Sequence, residues 1–317
     1  MAHRILRPYF LLLTLFVQHV LSVSYEKIYQ FDSGEFIENI AARSNGHLLL
    51  SVLTEPNLYT LDPSVPNAKA QIIHHFDGST GVTGIAEIAH DIFAVSAGQL
   101  DLRTFQGVKG TFAVYTVDLT ASAPVINKLA DIPDTTNLNG IALSPFSPNV
   151  LLLSDSASGA IWSLDIKTGS SRIVLQDPLF EARPSNPLGI NGLKTRGKYV
   201  YFTNSAQGIF GRVPFSVLST ASGPAQIITK VPGAGFDDFT FDLIGNALIA
   251  NHPGSLYQIS ASGVNTVLIN STSIVEPTSA IFGRGSNESA KTLYVTTGGQ
   301  FTVPGGTGGQ LFAVTLF

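Results

Sequence analysis

The chain has 317 residues, 44% of them hydrophobic and 13% charged, which allows a large core and excludes a disordered or heavily solvated protein. A formal net charge of −4, with no run of Lys and Arg, leaves no electrostatic footprint for nucleic acid or an anionic membrane. There is no cysteine, so disulfides, thiolate metal sites and a cysteine nucleophile are excluded together and stability must come from the core.

The first 24 residues read as a signal peptide. A basic start (His3, Arg4, Arg7) leads into an apolar run from Tyr9 to Val17, then Gln18, His19 and the small residues Ser22 and Ser24, near which cleavage is expected. The apolar run falls short of the about 20 residues that span a bilayer. The reading predicts a leader over residues 1–24 and a single domain over residues 25–317, in the secretory lumen or outside the cell. In that setting the sequons at Asn270 and Asn287 are glycosylation acceptors.

From there one unit recurs six times, and the count predicts an all-β, six-bladed β-propeller. Short first strands are expected at Glu38–Ala41, Gly84–Glu87, Asn139–Ala142, Asn191–Lys194, Asp237–Thr240 and Thr278–Ile281, with starts 46, 55, 52, 46 and 41 residues apart. Each precedes a second strand rich in branched residues, such as Leu48–Val52, Val150–Ser154 and Tyr199–Thr203. Third strands follow, from Asn57–Leu61 in the first repeat to Gln310–Leu316 in the last. Gly, Asn and Asp fill the turns between them. Five outer strands are visible after the third strands, and the sixth is missing at the C-terminal end. Glu26–Phe31, ahead of the first repeat, has the same character, so the first and last segments are expected to pair and close the ring.

Antiparallel strands put the start of each first strand and the end of each second strand at one end of the axis. That face collects Glu38, Gly84, Asn139, Asn191, Asp237 and Thr278. It also collects Ser51, Ser96, Asp155, Asn204, Asn251 with His252, and Thr297. The plainer alternative is that Asn139-Gly140 and Asn191-Gly192 make turns, that Asp155 and Thr297 cap loops, and that His252 is a loop residue or stands behind the site. Phe239 reads as core between blades. Phe36, Phe105 and Phe236 stand evenly between core and site wall, and Ser279 joins the substrate-facing set.

Several stretches carry a resemblance: Leu138-Asn139-Gly140-Ile141-Ala142, Phe236–Asn246, Pro277–Gly283, Thr292–Thr296 and Gly309–Val314. Through them the chain resembles the SMP-30/gluconolactonase/LRE-like six-bladed propellers over essentially all of residues 25–317. That resemblance implies a divalent cation, calcium or zinc, held by Glu38, Asn139, Asn191 and Asp237, with Asp237 as base in lactone hydrolysis. Two positions depart from the family pattern: Asn39-Ile40 replaces a Gly-Pro, and Asp238 replaces a Gly.

In overall character the chain also resembles fungal secreted propellers of secondary metabolism, the hetero-Diels-Alderases of tropolone sesquiterpenoid pathways. These join a tropolone quinone methide to a humulene-type alkene in a [4+2] cycloaddition without a cofactor. The likeness rests on the leader, the length, the lack of cysteine, the few charges and the 20 Phe. On this reading Glu38 and Asp237 are the polarising or catalytic groups, and Asn139, Asn191, Asn204, Asn251, Phe36, Phe105, Phe236 and Ser279 contact apolar small-molecule substrates. Lactone hydrolysis and a purely binding propeller are the two alternatives, and nothing in the sequence sets an oligomeric state.

Overall fold

The computed structural model describes residues 23–316; most of the expected leader, and Phe317, lie outside the described residues. Six four-stranded antiparallel sheets form the six blades of a β-propeller, and no α-helix occurs among the described residues. Blade one is typical: Ile37–Ala42, Leu48–Val52, Asn57–Leu61 and Gln71–His75 run from the axis outward in chain order. Blades two to five repeat that order, with innermost strands Gly81–Ala89, Leu138–Ser144, Ile190–Arg196 and Gly235–Phe241.

Blade six is assembled from both ends of the chain. Pro277–Phe282, Thr292–Thr297 and Gln310–Leu316 supply three strands, and Val23–Gln30 adds the outer one with Val23 opposite Leu316 and Gln30 opposite Gln310. Pairing thus begins at Val23, two residues inside the segment expected to be leader. The closing strand covers the outer edge of Gln310–Leu316, which would otherwise be left unpaired.

The core lies between blades. Six clusters of buried side chains each join two neighbours, as where Leu49 and Leu58 of blade one meet Val82, Phe93 and Val95 of blade two. The branched second strands serve this packing because both of their faces are covered; Leu48, Leu49 and Leu50 are all buried. Burying one such Leu or Phe stabilises the fold by about 1.5–3 kcal/mol. Polar links add to it at the lower face, where Arg43 of blade one donates to both carboxylate oxygens of Asp91 in blade two at 2.9 and 2.5 Å.

Candidate functional site

Each of the six innermost strands carries a register shift at its upper end. The shifts fall between Ile37 and Asn39, Val82 and Ile85, Leu138 and Ile141, Ile190 and Leu193, Phe236 and Phe239, and Pro277 and Ser279. Glu38, Asn139, Asn191, Asp237 and Thr278 therefore sit inside β-bulges, which bend the strand and re-aim a side chain. Neighbouring bulges touch: a Cβ on Gly140 would lie 2.6 Å from the Asn191 carbonyl oxygen, and one on Gly192 would lie 2.4 Å from Asp238 Oδ1. The Asn-Gly pairs are thus bulges in strands, not turns, and glycine is required there by the approach of the next blade.

Hydroxyl groups satisfy the backbone that the bulges leave unpaired. Ser96 Oγ accepts from the Gly84 N–H at 3.0 Å, Ser154 Oγ from Gly140 at 2.7 Å and Thr203 Oγ1 from Gly192 at 2.9 Å. Ser51, Ser154 and Thr278 donate across to carbonyls of Thr83, Asn191 and Ile37 in the adjoining blade. Ser51 and Ser96, expected on the site face, are fully buried stitches between strands and blades.

Above the bulges opens a cup of about 580 Å³, the size of a small-molecule site. Its floor holds Glu38, Asn139, Asn191 and Asp237, and its wall includes Phe36, Leu100, Phe105, Leu188, Phe301 and Val303. Phe301 lies edge-on to Phe36, with ring centroids 5.0 Å apart, and edge-on to Phe105 at 5.7 Å, so three blades contribute to one aromatic wall. Phe105 has φ of 53°, a left-handed conformation uncommon for an aromatic residue, and Asn137 Nδ2 donates to its carbonyl at 3.1 Å.

On the floor, Asn139 Nδ2 donates to Glu38 Oε1 at 3.0 Å, and Asn191 Nδ2 donates to Ser205 Oγ at 3.0 Å while its Oδ1 is buried without a partner. His252 stands on the wall with Nε2 2.8 Å from Asp237 Oδ2 and Nδ1 against Glu276 Oε2. Burial raises the Glu38 carboxyl to about 8, with the neighbouring Asp237 carboxylate adding to the effect. Burial also raises Asp237, against the lowering effect of the His252 hydrogen bond. Burial opposes charge on His252, but hydrogen bonds to Asp237 and Glu276 outweigh it and raise the imidazole to about 10. Near neutral pH the floor therefore presents a neutral Glu38 and, on the wall above it, an imidazolium hydrogen-bonded to Asp237 and Glu276.

The chain is similar to curated proteins in sequence and to solved structures in fold. The chain is 27% identical to a protein of Sarocladium schorii named as a hetero-Diels-Alderase, asR5, over 87% of this chain and 78% of that protein. It is 25% identical to another of that name from Phoma sp, over 87% of each. No family model matches the chain. Luciferin-regenerating enzyme superposes with a TM-score of 0.66 at 17% identity, over 93% of this chain and 95% of that one. Regucalcin of Agrobacterium tumefaciens, a calcium-binding protein, superposes with a TM-score of 0.64 at 15% identity, over 91% and 94%. The fold is the SMP-30-type propeller.

Within that propeller the two departures from the family pattern explain each other. Asn39 Nδ2 donates to Asp238 Oδ2 at 3.0 Å, Ser279 Oγ donates to Asn39 Oδ1 at 3.2 Å, and Lys194 Nζ is 2.7 Å from both Asp238 oxygens. They form a buried polar plug on the axis beneath the floor. Toward a divalent cation the floor offers oxygens in mixed states: Asn191 Oδ1 is buried without a partner, whereas two other groups are engaged. Asn139 turns its amide N–H toward Glu38, and His252 engages the Asp237 oxygen that a metal would take.

Of the residues expected at the site, Glu38, Asn139, Asn191, Asp237, Phe36 and Phe105 line the cup. Four others do not. Asn204 is fully buried and clamps a loop by donating to the Leu179 and Glu181 carbonyls. Asn251 donates to the His252 carbonyl and to Ser255 Oγ. Phe236 is core, edge-on to Tyr257, because the bulge turns it away from the axis, and Ser279 belongs to the plug. Asp155 caps the loop before blade three, accepting from the N–H groups of Thr136 and Asn137, as the plainer reading held. His252, read as a loop residue or one behind the site, lines the cup. Glu276 and Phe301 were not singled out. An acid closing the apolar Ile274-Val275 pair, and an aromatic residue inside the Gly-rich segment Gly298–Gly309, are the signals that mark them.

Proposed function

We propose that this protein is a pericyclase of the hetero-Diels-Alder type, joining a tropolone quinone methide to a humulene-type sesquiterpene alkene in its cup. The observation that carries the reading is a cup whose wall packs three aromatic rings, Phe36, Phe105 and Phe301, above a floor of Glu38, Asn139, Asn191 and Asp237. The names of the two curated relatives support it. In such a reaction the four π electrons of the heterodiene and the two of the alkene become two σ bonds and one new π bond. No proton is gained or lost, so no nucleophile or proton relay is needed.

The wall confines the apolar alkene and sets its face toward the heterodiene. Orientation of this kind contributes up to about 7–11 kcal/mol of barrier lowering. The neutral Glu38 carboxyl, fixed through Oε1 by Asn139, directs its O–H to the heterodiene carbonyl oxygen and stabilises the charge that develops there. Burial keeps Glu38 protonated, and the neighbouring Asp237, held by His252, adds to the effect. No cofactor takes part in this reading. The leader-like first 24 residues support a secretory route, on which the exposed Asn270 and Asn287 would be glycosylated.

The reading is tested by generating the quinone methide in buffer with the alkene and purified protein. Formation of one stereoisomer of the adduct above the uncatalysed background is expected; a racemic product at the background rate overturns it. Lactone hydrolysis stays as a second reading because Glu38, Asn139, Asn191 and Asp237 share one floor. Calcium-dependent opening of gluconolactone would favour it.

A further inference from the structure

The large apolar side chains most exposed in this protein lie on one face, on turns of two neighbouring blades. Among the described residues, Leu243 is fully exposed, and Ile244, Leu218, Val217 and Val264 lie between 64% and 81%. No other large apolar residue exceeds 58%. All five sit on turns of blades four and five at the face opposite the cup: Leu243 and Ile244 between Gly235–Phe241 and Ala247–His252, Val217 and Leu218 after Ile209–Pro214, and Val264 before Asn265–Asn270. They sit at turn tips, and Leu218 also edges a depression of about 230 Å³ with Val150, Asp165 and Arg172. Ser219 Oγ meets Ser144 Oγ at 2.7 Å, which holds the Val217-Leu218 loop against the turn of blade three that exposes Phe146.

Cations surround these tips. Arg196 and Lys198 flank the adjacent turn of blade four and are exposed. Arg196 lies over the Phe241 ring, and Lys198 and Arg212 lie over Tyr199, at 5.6, 5.7 and 4.4 Å from the centroids. The nearest acid in the turn, Asp242, spends its carboxylate on the N–H groups of Gly245 and Asn246 and on the Asn246 amide. Counting Asp242, and Asp165 and Arg172 beside Leu218, the corner still holds more cations than acids in a chain of net charge −4. The fold draws Arg196 and Arg212 from two strands of blade four and Lys198 from a turn.

We propose that the lower face of blades four and five docks on an anionic lipid surface, with Leu243, Ile244, Val217 and Leu218 inserted among the headgroups and Arg196, Lys198 and Arg212 on the lipid phosphates. Aliphatic tips backed by aromatic rings and ringed by Arg and Lys suit the interface between water and hydrocarbon. A protein partner would call for a flatter or concave apolar face. The docked molecule turns the cup away from the membrane.

The test is co-sedimentation of the full chain with vesicles of phosphatidylcholine alone and of phosphatidylcholine containing one third phosphatidylserine. Binding to the anionic vesicles that weakens with salt is expected. Leu243→Ser with Ile244→Ser should reduce it at least tenfold at an unchanged melting temperature, and Lys198→Glu should reduce it by more than the about fivefold that loss of one cation brings. Lack of sedimentation with anionic vesicles overturns the proposal. So does equal binding by the double variant, or a dimer that the double variant dissociates without any vesicle binding by the parent. None of these outcomes depends on the reaction in the cup.

Discussion

Glu38 is the residue on which the proposed chemistry turns. If it acts as a neutral acid, the rate should hold below pH 8 and fall as pH rises through the raised value of about 8, because the donated O–H is lost on ionisation. Glu38→Gln keeps a donor and cannot ionise, so it should retain most activity and flatten the upper limb of the pH profile. Glu38→Ala should cost up to about 10²–10³-fold, as loss of a preorganised donor does. A steep upper limb that persists in Glu38→Gln would assign the titration to another group. Gly140 tests the bulges: a methyl group there meets the Asn191 carbonyl oxygen at 2.6 Å, so Gly140→Ala should destabilise by about 1–3 kcal/mol in chemical denaturation. At this scale the sequence was only partly readable. Asn191 and Asn204 both sit at the ends of apolar strands in the same repeat, yet one faces the cup and the other clamps a loop. What separates them is a bulge that depends on how closely the next blade approaches, and no local pattern encodes that distance.

At the scale of elements, the repeat was legible because each second strand is a run of branched residues bounded by turn residues, and that pattern survives variation in loop length. The loops were not legible, since Phe301 and Glu276 lie in segments without periodicity and reach the cup only through contacts with neighbouring blades. The segment Gly298–Gly309 is nevertheless well tied, with Gln300 N–H donating to the Thr307 carbonyl and Val303 N–H to that of Gln300. It therefore holds Phe301 in place as a shaping group. Phe301→Ala removes both edge-on contacts and widens the cup. Adduct formation should continue with lower stereoselectivity, measured by chiral chromatography, and without loss of folding. Unchanged selectivity would remove Phe301 from the substrate-shaping wall.

For the molecule as a whole, the hydrogen bonds that already engage Glu38, Asp237 and His252 on the cup floor predict that dialysis against EDTA leaves the melting temperature unchanged and that added calcium does not raise it. A stabilisation that grows with calcium concentration would instead signal binding to the native state. Acid should act elsewhere, at the joint of blades one and two. Hydrogen bonds from Arg43 hold the Asp91 carboxyl below its usual range, so its contribution is present above that range and is lost as pH falls through the lowered value, beneath about pH 4. Asp91→Asn keeps a residue tolerant of the left-handed backbone at φ of 57° and should flatten that acid limb in urea midpoints.

The pairing of Val23–Gln30 with Gln310–Leu316 also sets the order in which the protein can be finished. The two strands are separated by roughly 290 residues, and chain growth runs at about 5–20 residues per second, so the first strand waits roughly 15–60 s for its partner. During that interval it has no sheet to join, and blade one stands without the neighbour that covers Ile37, Ile40 and Leu50. Synthesis thus passes through a growing arc of blades with open flanks, and only the last seven-residue strand converts the arc to a ring. A chain stalled before that strand should be held by chaperones as an unclosed arc, and cup and lower face alike would be completed by the same final event.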